Sequence, residues 1–111
     1  PLGLDVIRDR NQLYRETTEG LIENVYILKI MNMDDAMHTY KLTASGIEGL
    51  ELYQDMPEIR VASGGVLDLP VRLRVDERAL QARSSSVVFD LVAADDPELS
   101  VSEDARFLGP Q

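Results

Sequence analysis

LIENVYILKIMN, residues 21–32, carries the strongest indication of the fold class. Its side chains alternate with a period of two, so that one face carries Tyr26, Leu28 and Ile30 and the other carries Val25, Ile27, Lys29 and Met31. A period of two is the repeat of a β-strand. Gly20 precedes the stretch, and the turn formers of residues 32–35 follow it. We therefore predict a long central strand at residues 21–32.

The same alternation recurs on both sides of this strand. Leu2, Leu4 and Val6 predict a first strand. The later apolar rows are 38–44, 50–52, 59–61, 67–75, 87–93 and 99–107, each separated from the next by polar or glycine-containing residues. Pro70 lies within one row and cannot donate a ladder hydrogen bond, so we expect a bulge or an edge position there. The polar residues 76–83 have room for a single helical turn.

Short strands at regular spacing predict an all-β protein, and we expect one domain spanning residues 1–111. The pattern favours an immunoglobulin-like antiparallel β-sandwich of about seven strands, with a small β-barrel as the alternative. Trp and Cys, which mark many immunoglobulin cores, are absent from the sequence. The core is instead predicted to form from a set of large side chains on the inner faces of both sheets: Tyr26, Tyr40, Leu42, Leu69, Leu73, Phe89 and Leu91.

Composition excludes several classes of function. The formal net charge of −9 argues against nucleic acid or an anionic lipid surface as the partner. Without Cys, this segment holds no disulfide, no thiolate metal site and no iron–sulfur cluster. No apolar run approaches the roughly 20 residues of a membrane helix, and no signal peptide is evident. The acidic residues that follow Asp90 are interpreted as aiding solubility, with an acidic docking patch as the alternative.

The sequence contains no recognisable set of catalytic residues. It has one His and no Cys, and no Ser lies in a nucleophile-elbow spacing. Its glycines do not form a phosphate-binding loop followed by a helix. The segment from Asp95 to Glu98 lacks the spacing of a calcium-binding loop and reads as a turn. We therefore predict that this domain is not an enzyme.

One segment has the residue types of a copper site. Residues 31–38, MNMDDAMH, hold the candidate ligands Met31, Met33, Met37 and His38. Thioethers and an imidazole suit Cu(I), so a weak Cu(I)-binding site is one hypothesis. The alternative is structural: Met fills irregular gaps in packing, and His38 lies at a strand end facing solvent.

The first strand and the residues after it are rich in charge, and the candidate partner-binding residues are Arg8, Arg10 and Arg15. Two interpretations are open. Together with Asp9, these residues pair with Glu16, Glu19 or Glu23 across neighbouring strands, or they dock the domain against a partner or against the membrane-proximal part of its own chain.

Six stretches together resemble the C-terminal immunoglobulin-like domain of FixG-type proteins, which are membrane-bound accessory proteins of cbb3-type cytochrome c oxidase assembly. The two most specific are LDVIRDRNQLYRE (4–16) and IENVYILKIMN (22–32). The others are HTYKLTASGIEGLEL (38–52), GGVLDLPVRLRV (64–75), SSVVFDLVA (85–93) and ARFLGP (105–110). The resemblance covers essentially the whole chain.

The resemblance implies a larger bacterial protein of the inner membrane, with this domain after the last membrane helix on the periplasmic side. It also implies [4Fe–4S] clusters elsewhere in the parent, where electrons pass to copper. None of those redox residues lies in this segment. The domain itself is then expected to be a non-catalytic interaction domain without a cofactor, with oxidase subunits or a copper carrier as its protein partners. A plain structural spacer and a carbohydrate-binding sandwich are the alternatives, and the second is disfavoured because only 5% of the residues are aromatic.

Overall fold

A computed structural model describes residues 1–110. The described chain forms nine strands and one 3₁₀ turn, Glu77–Ala79. The strands are β1 (Leu2–Arg8), β2 (Arg15–Glu16), β3 (Leu21–Asn32), β4 (His38–Ser45), β5 (Glu51–Gln54), β6 (Ile59–Val61), β7 (Val66–Asp76), β8 (Ser84–Ala93) and β9 (Asp96–Leu108). The single helical turn thus lies within the polar stretch where the sequence left room for one.

The strands form two antiparallel sheets that pack as a sandwich. The first sheet has the order β1-β3-β7-β5, and β2 pairs with the beginning of β3. The second sheet has the order β6-β4-β8-β9. The predicted immunoglobulin-like sandwich is confirmed, and the alternative of a small β-barrel is wrong because the two sheets do not close on each other. About seven strands were expected; β2 escaped prediction because its two residues are positioned by pairing with β3 and not by an apolar pattern.

The core lies between the two sheets, as the alternation predicted. All seven of the large side chains assigned to it are buried. Tyr26 and Phe89 meet edge to face across the sandwich, with ring centroids 5.2 Å apart and planes inclined by 73°. Pro70 lies just beyond the point where β5 stops pairing with β7, and the β3–β7 register runs through it without a bulge. The edge position expected for Pro70 is therefore confirmed.

Two polar side chains of β3 fasten the first sheet to β9 of the second. The Tyr26 hydroxyl donates to the Arg106 carbonyl at 2.9 Å. The Asn24 side chain donates to the Leu108 carbonyl at 2.8 Å and accepts from the Leu108 amide at 2.9 Å. On β9, Glu103 pairs with buried Phe89 of β8 and so lies on the core-facing side, although it is exposed.

Candidate partner-binding face

The segment between β1 and β2 is held in place by Arg8. The Arg8 Nη1 donates to the backbone carbonyls of Asp9 at 3.1 Å and Leu13 at 3.1 Å, with a longer contact of 3.4 Å to the carbonyl of Gln12. The amide of Asn11 donates to the Asp9 carboxylate at 2.9 Å. Arg8 is therefore mainly occupied in shaping this loop, although it was also a candidate partner-binding residue.

Beside this loop, three strands contribute a row of charges to the outer face of the first sheet. Glu23 of β3 is paired in register with Arg15 of β2 and with Arg74 of β7. One Glu23 oxygen accepts from the Arg15 Nε at 2.5 Å and the other from the Arg74 Nε at 2.6 Å. We call this row the Arg15–Glu23–Arg74 ladder. The pairing expected of Arg15 is confirmed, and Glu23 is its partner.

Glu23 is the buried member of the ladder, since its side chain has 0% exposure against 54% for Arg15 and 21% for Arg74. Burial alone raises the pKa of the Glu23 carboxyl, but the hydrogen bonds and positive charges of Arg74 and Arg15 outweigh burial and hold that pKa below its ordinary value. Arg74 also stacks over the Tyr53 ring, 4.2 Å from the centroid. The ladder thus keeps a carboxylate ionised beneath the loop.

A pocket of about 260 Å³ opens between this loop and the outer face of the first sheet. It is lined by Gln12, Arg15, Glu23, Val25, Asp55, Pro70, Val71 and Arg72. The Arg72 Nε is buried and has no hydrogen-bond partner among the described residues. Within residues 1–110, the one acceptor that the Arg72 Nη2 reaches is the Asp55 carboxylate, at 3.4 Å. We call this cavity the Arg15–Arg72 pocket.

A second groove, of about 430 Å³, follows the seam between β1 and β9. Arg8, Arg10 and Arg106 line it together with apolar side chains of the two strands. Arg10 is exposed and makes no hydrogen bond or ion pair among residues 1–110, whereas the Arg106 Nε donates to the Ser84 hydroxyl at 2.9 Å. Of the three arginines singled out from the sequence, Arg10 is thus the one whose charge is most available.

Three exposed large hydrophobic side chains lie in or next to the loop between β1 and β2. Leu13 and Tyr14 belong to the loop and Ile7 to the end of β1, and Ile7 is 56% and Leu13 62% exposed. We call these three residues the apolar patch. Exposed apolar and aromatic side chains close to arginine are typical of protein interfaces. Among the described residues, the other exposed large hydrophobics are Met33, Met37 and Val66.

Contrary to the structural alternative to the copper hypothesis, His38 does not face solvent. It is buried, because its position in β4 points toward the core, and its exposure is 7%. Its Nε2 lies 2.7 Å from the Asp34 carboxylate and its Nδ1 lies 3.1 Å from that of Asp95. Ionised carboxylates only accept, so contacts with both Asp34 and Asp95 favour the doubly protonated imidazolium. Hydrogen bonds to Asp34 and then Asp95 raise the pKa of His38.

The methionines of the copper hypothesis do not surround His38. Met31 lies on the outer face of the first sheet, since it follows core-facing Ile30 in β3. Met33 and Met37 are exposed. In the described part of the chain, no group of three or more His, Cys, Asp or Glu side chains is arranged to hold a metal ion. A Cu(I) site here stays a prediction, and it would require His38 to give up a carboxylate.

Strand alternation did not predict three buried polar groups on β3: Glu23, Asn24 and Asn32. Each forms at least one hydrogen bond to a distant part of the chain, as when the Asn32 amide donates to the carbonyl of Val61 at 3.0 Å in addition to that of nearby Ala36 at 2.8 Å. The available signal was the Glu-Asn pair within an otherwise apolar strand. In residues 1–110, no helix is long and apolar enough to cross a membrane.

Comparisons with known proteins agree with this architecture. A family model described as "IG-like fold at C-terminal of FixG, putative oxidoreductase" matches residues 1–110. The crystal structure of a FixG-related protein from Vibrio parahaemolyticus is similar with a TM-score of 0.87 and 32% identity, over 100% of this chain and 98% of that one. The crystal structure described as yeast GGA1_GAE domain-P21 has a TM-score of 0.51 and 11% identity over 99% and 91% of the two chains, a likeness of fold alone. No match was found among curated proteins.

Proposed function

This chain belongs to the family of immunoglobulin-like domains at the C-terminus of FixG, and from that premise we propose that it is a non-catalytic protein-interaction domain. Its parent is a membrane-bound FixG-type protein that acts in the assembly of cbb3-type cytochrome c oxidase. Iron–sulfur clusters and copper-linked electron transfer belong to other regions of that parent. The domain lies on the periplasmic side and binds an oxidase subunit or a copper carrier.

The observation that carries this proposal is the apolar patch on the segment that Arg8 holds in place. Leu13 and Tyr14 are exposed although their loop is anchored by hydrogen bonds, so the patch is presented on a fixed backbone. A fixed backbone reduces the entropy lost on binding. Tyr and Arg are among the side chains that most often dominate binding energy at interfaces, and exposed Arg10 precedes Leu13 in the same loop.

The surroundings of the patch support binding more than chemistry. The one His is engaged by two carboxylates at another part of the domain. The cavities beside the patch are open to solvent, and in the first of them the carboxylates of Glu23 and Asp55 are paired with arginines. Nothing in this arrangement activates a nucleophile. The patch therefore supports recognition of a protein surface.

The test is capture of membrane proteins by the purified domain. Detergent-solubilised membranes are passed over the wild-type chain and over a Leu13→Ser, Tyr14→Ser variant, and bound proteins are identified by mass. Val66→Ser is the matched control, because Val66 is 62% exposed but lies on β7 outside the patch. We expect oxidase subunits or a copper carrier to be retained by the wild type and by the control, and lost from the patch variant.

Two results would contradict the proposal. Equal capture by the patch variant would remove the patch as the binding surface. Normal oxidase maturation after deletion of this domain from the parent would leave a structural spacer as the better account. Repeating the capture with added Cu(I) addresses the Met31–His38 hypothesis in the same experiment, since retention that depends on Cu(I) would require soft ligands such as Met33 and Met37.

A further inference from the structure

The Arg15–Arg72 pocket holds cationic groups whose hydrogen-bonding capacity is only partly used. Each guanidinium has five N–H donors. Arg15 uses its Nε on Glu23, and its remaining nitrogens make no hydrogen bond within residues 1–110. Its side chain is 54% exposed, so these donors are open to a ligand. Glu23 is already engaged by two arginines, since each of its oxygens accepts one short bond.

Arg72 provides the second and stronger observation. Its Nε is buried without a partner, and a buried donor left unsatisfied costs about 1–3 kcal/mol. Among residues 1–110, the only acceptor that reaches this guanidinium is the Asp55 carboxylate, at a long 3.4 Å and with a side chain that is 83% exposed. An exposed pair of that length contributes little stability. Arg72 therefore brings to the pocket a guanidinium that is only weakly paired.

The balance of charge defines which acceptor fits. Two guanidiniums, those of Arg15 and Arg72, and two carboxylates, those of Glu23 and Asp55, line the pocket. Glu23 is already bonded to Arg15 and Arg74, and Asp55 reaches Arg72 only at 3.4 Å, so guanidinium donors of the pocket remain open to a further acceptor. A dianion such as a phosphate monoester would meet more repulsion from the two carboxylates than a monoanion does.

We propose that the Arg15–Arg72 pocket binds the carboxylate of an Asp or Glu side chain of the protein partner. Guanidinium groups bind carboxylates through paired, charge-assisted hydrogen bonds, and the open donors of Arg15 together with the weakly paired Arg72 guanidinium supply them. Val25 and Pro70 line the same pocket and contact the methylene groups of such a side chain. A small cavity lined by Leu13 and Tyr14 adjoins it, so an acidic residue enters beside the apolar patch.

This inference rests on the proposed function for its partner, but its first test needs none. The chain is titrated with N-acetyl-aspartate amide while the arginine Nε–H signals are followed by ¹H–¹⁵N NMR. N-acetyl-asparagine amide and sodium chloride at equal ionic strength are the controls. We expect a saturable shift of the Arg72 Nε–H signal with a Kd of about 1–10 mM, the range of a ligand of this size. A response no greater than that to the two controls overturns the inference.

Variants separate a specific pocket from general attraction. Arg72→Gln should abolish the saturable shift, which is then followed on the Arg15 Nε–H signal. Arg60→Gln makes the same change of charge at an exposed position of β6 and should leave the shift unchanged. Asp55→Asn removes the competing carboxylate and should tighten binding about threefold. Partial unfolding of a variant would weaken binding, so tighter binding by Asp55→Asn cannot result from it. Equal loss in the Arg60 and Arg72 variants, or weaker binding by Asp55→Asn, overturns the inference.

Capture of the partner then distinguishes the two proposals. If Arg72→Gln retains as much partner as the wild type, the pocket is not used and this inference fails, while the patch-based function stands. If the Leu13→Ser, Tyr14→Ser variant retains the partner, the patch-based function fails whatever the probe binds. Reduced capture by both variants, with the Arg60→Gln control unaffected, supports both.

Discussion

Replacing Glu23 by Gln tests the reasoning about the Arg15–Glu23–Arg74 ladder most directly. The amide keeps one acceptor oxygen and turns an NH₂ group toward the second guanidinium, so one charge-assisted hydrogen bond is lost and two donors face each other. A hydrogen bond to a charged group contributes about 1.5–3 kcal/mol. Because Arg15 and Arg74 are 54% and 21% exposed, water relieves part of the loss, which stays below the 3–5 kcal/mol of a fully buried broken pair. We expect the free energy of unfolding to fall by about 2–3 kcal/mol.

The assay is urea unfolding at pH 7, followed by circular dichroism because the chain has no Trp. Glu58→Gln is the matched control: Glu58 is 63% exposed and lies 3.9 Å from its arginine partner, so its loss should change stability by no more than about 0.5 kcal/mol. If Glu23→Gln unfolds at the same urea concentration as the wild type, the ladder does not hold the loop and the argument fails.

The pH dependence gives a second readout of the same variant. The pKa of folded Glu23 lies below its ordinary value of 4.5 because the bonds from its arginine partners outweigh burial. Such a group stabilises the fold above its unfolded pKa, and this contribution is lost as the pH falls through the folded pKa. The stability difference between wild type and Glu23→Gln should therefore be constant at neutral pH and shrink below pH 4.5.

Three further outcomes follow from contacts described above. The pKa of folded His38 is raised above its ordinary value of 6.5, so protonated His38 stabilises the fold below pH 6.5 and this contribution is lost as the pH rises through the folded pKa. The free energy of unfolding should therefore decline above pH 6.5 in the wild type and not in His38→Gln. An identical decline in both proteins would contradict the pairing of His38 with two carboxylates. Asn24→Ala removes both hydrogen bonds to Leu108 and should lower the free energy of unfolding by about 2–3 kcal/mol, with faster exchange of the Leu108 amide proton. Unchanged exchange at Leu108 would show that Asn24 does not hold β9 to the first sheet. Gly46 has φ +123°, and a Cβ added there would lie 2.6 Å from a backbone oxygen, whereas Gly49 has φ +75° with nothing within 4 Å of an added Cβ. Gly46→Ala should therefore lower the thermal unfolding temperature more than Gly49→Ala does, and the reverse order would refute this.

Sequence alternation predicted the core well because burial between two sheets follows strand parity. Tyr26, Phe89 and the aliphatic rows needed no knowledge of which strands pair, since each strand shows its own inner face. The edge position of Pro70 was also predictable from the local sequence, because a residue without a backbone N–H is confined to positions where the sheet needs no donor. These features depend on near neighbours in the chain.

The partners of polar groups depend on distant pairing, and the sequence did not supply them. Glu23 is buried because the loop before β2 folds over it and Arg74 arrives from β7, 51 residues away along the chain. His38 meets Asp95 from a turn 57 residues away. For the same reason, Arg8, Arg10 and Arg15 looked alike in sequence and have different environments in the fold. Strand alternation predicts on which face of a sheet a side chain lies, but its neighbours depend on the pairing register of the strands.

The position of Glu103 has a consequence for behaviour at high concentration. The outer strand β9 is thirteen residues long, and a strand edge of that length is a template for pairing with a second copy. An ionised side chain on the core-facing side of β9 would be forced into the dry interior of any continuous sheet made by two such edges. Asp104 and Glu98 on the same strand add repulsion between identical edges. Pairing of identical β9 edges is therefore opposed at high concentration, and substitution of Glu103 by Val would weaken this opposition.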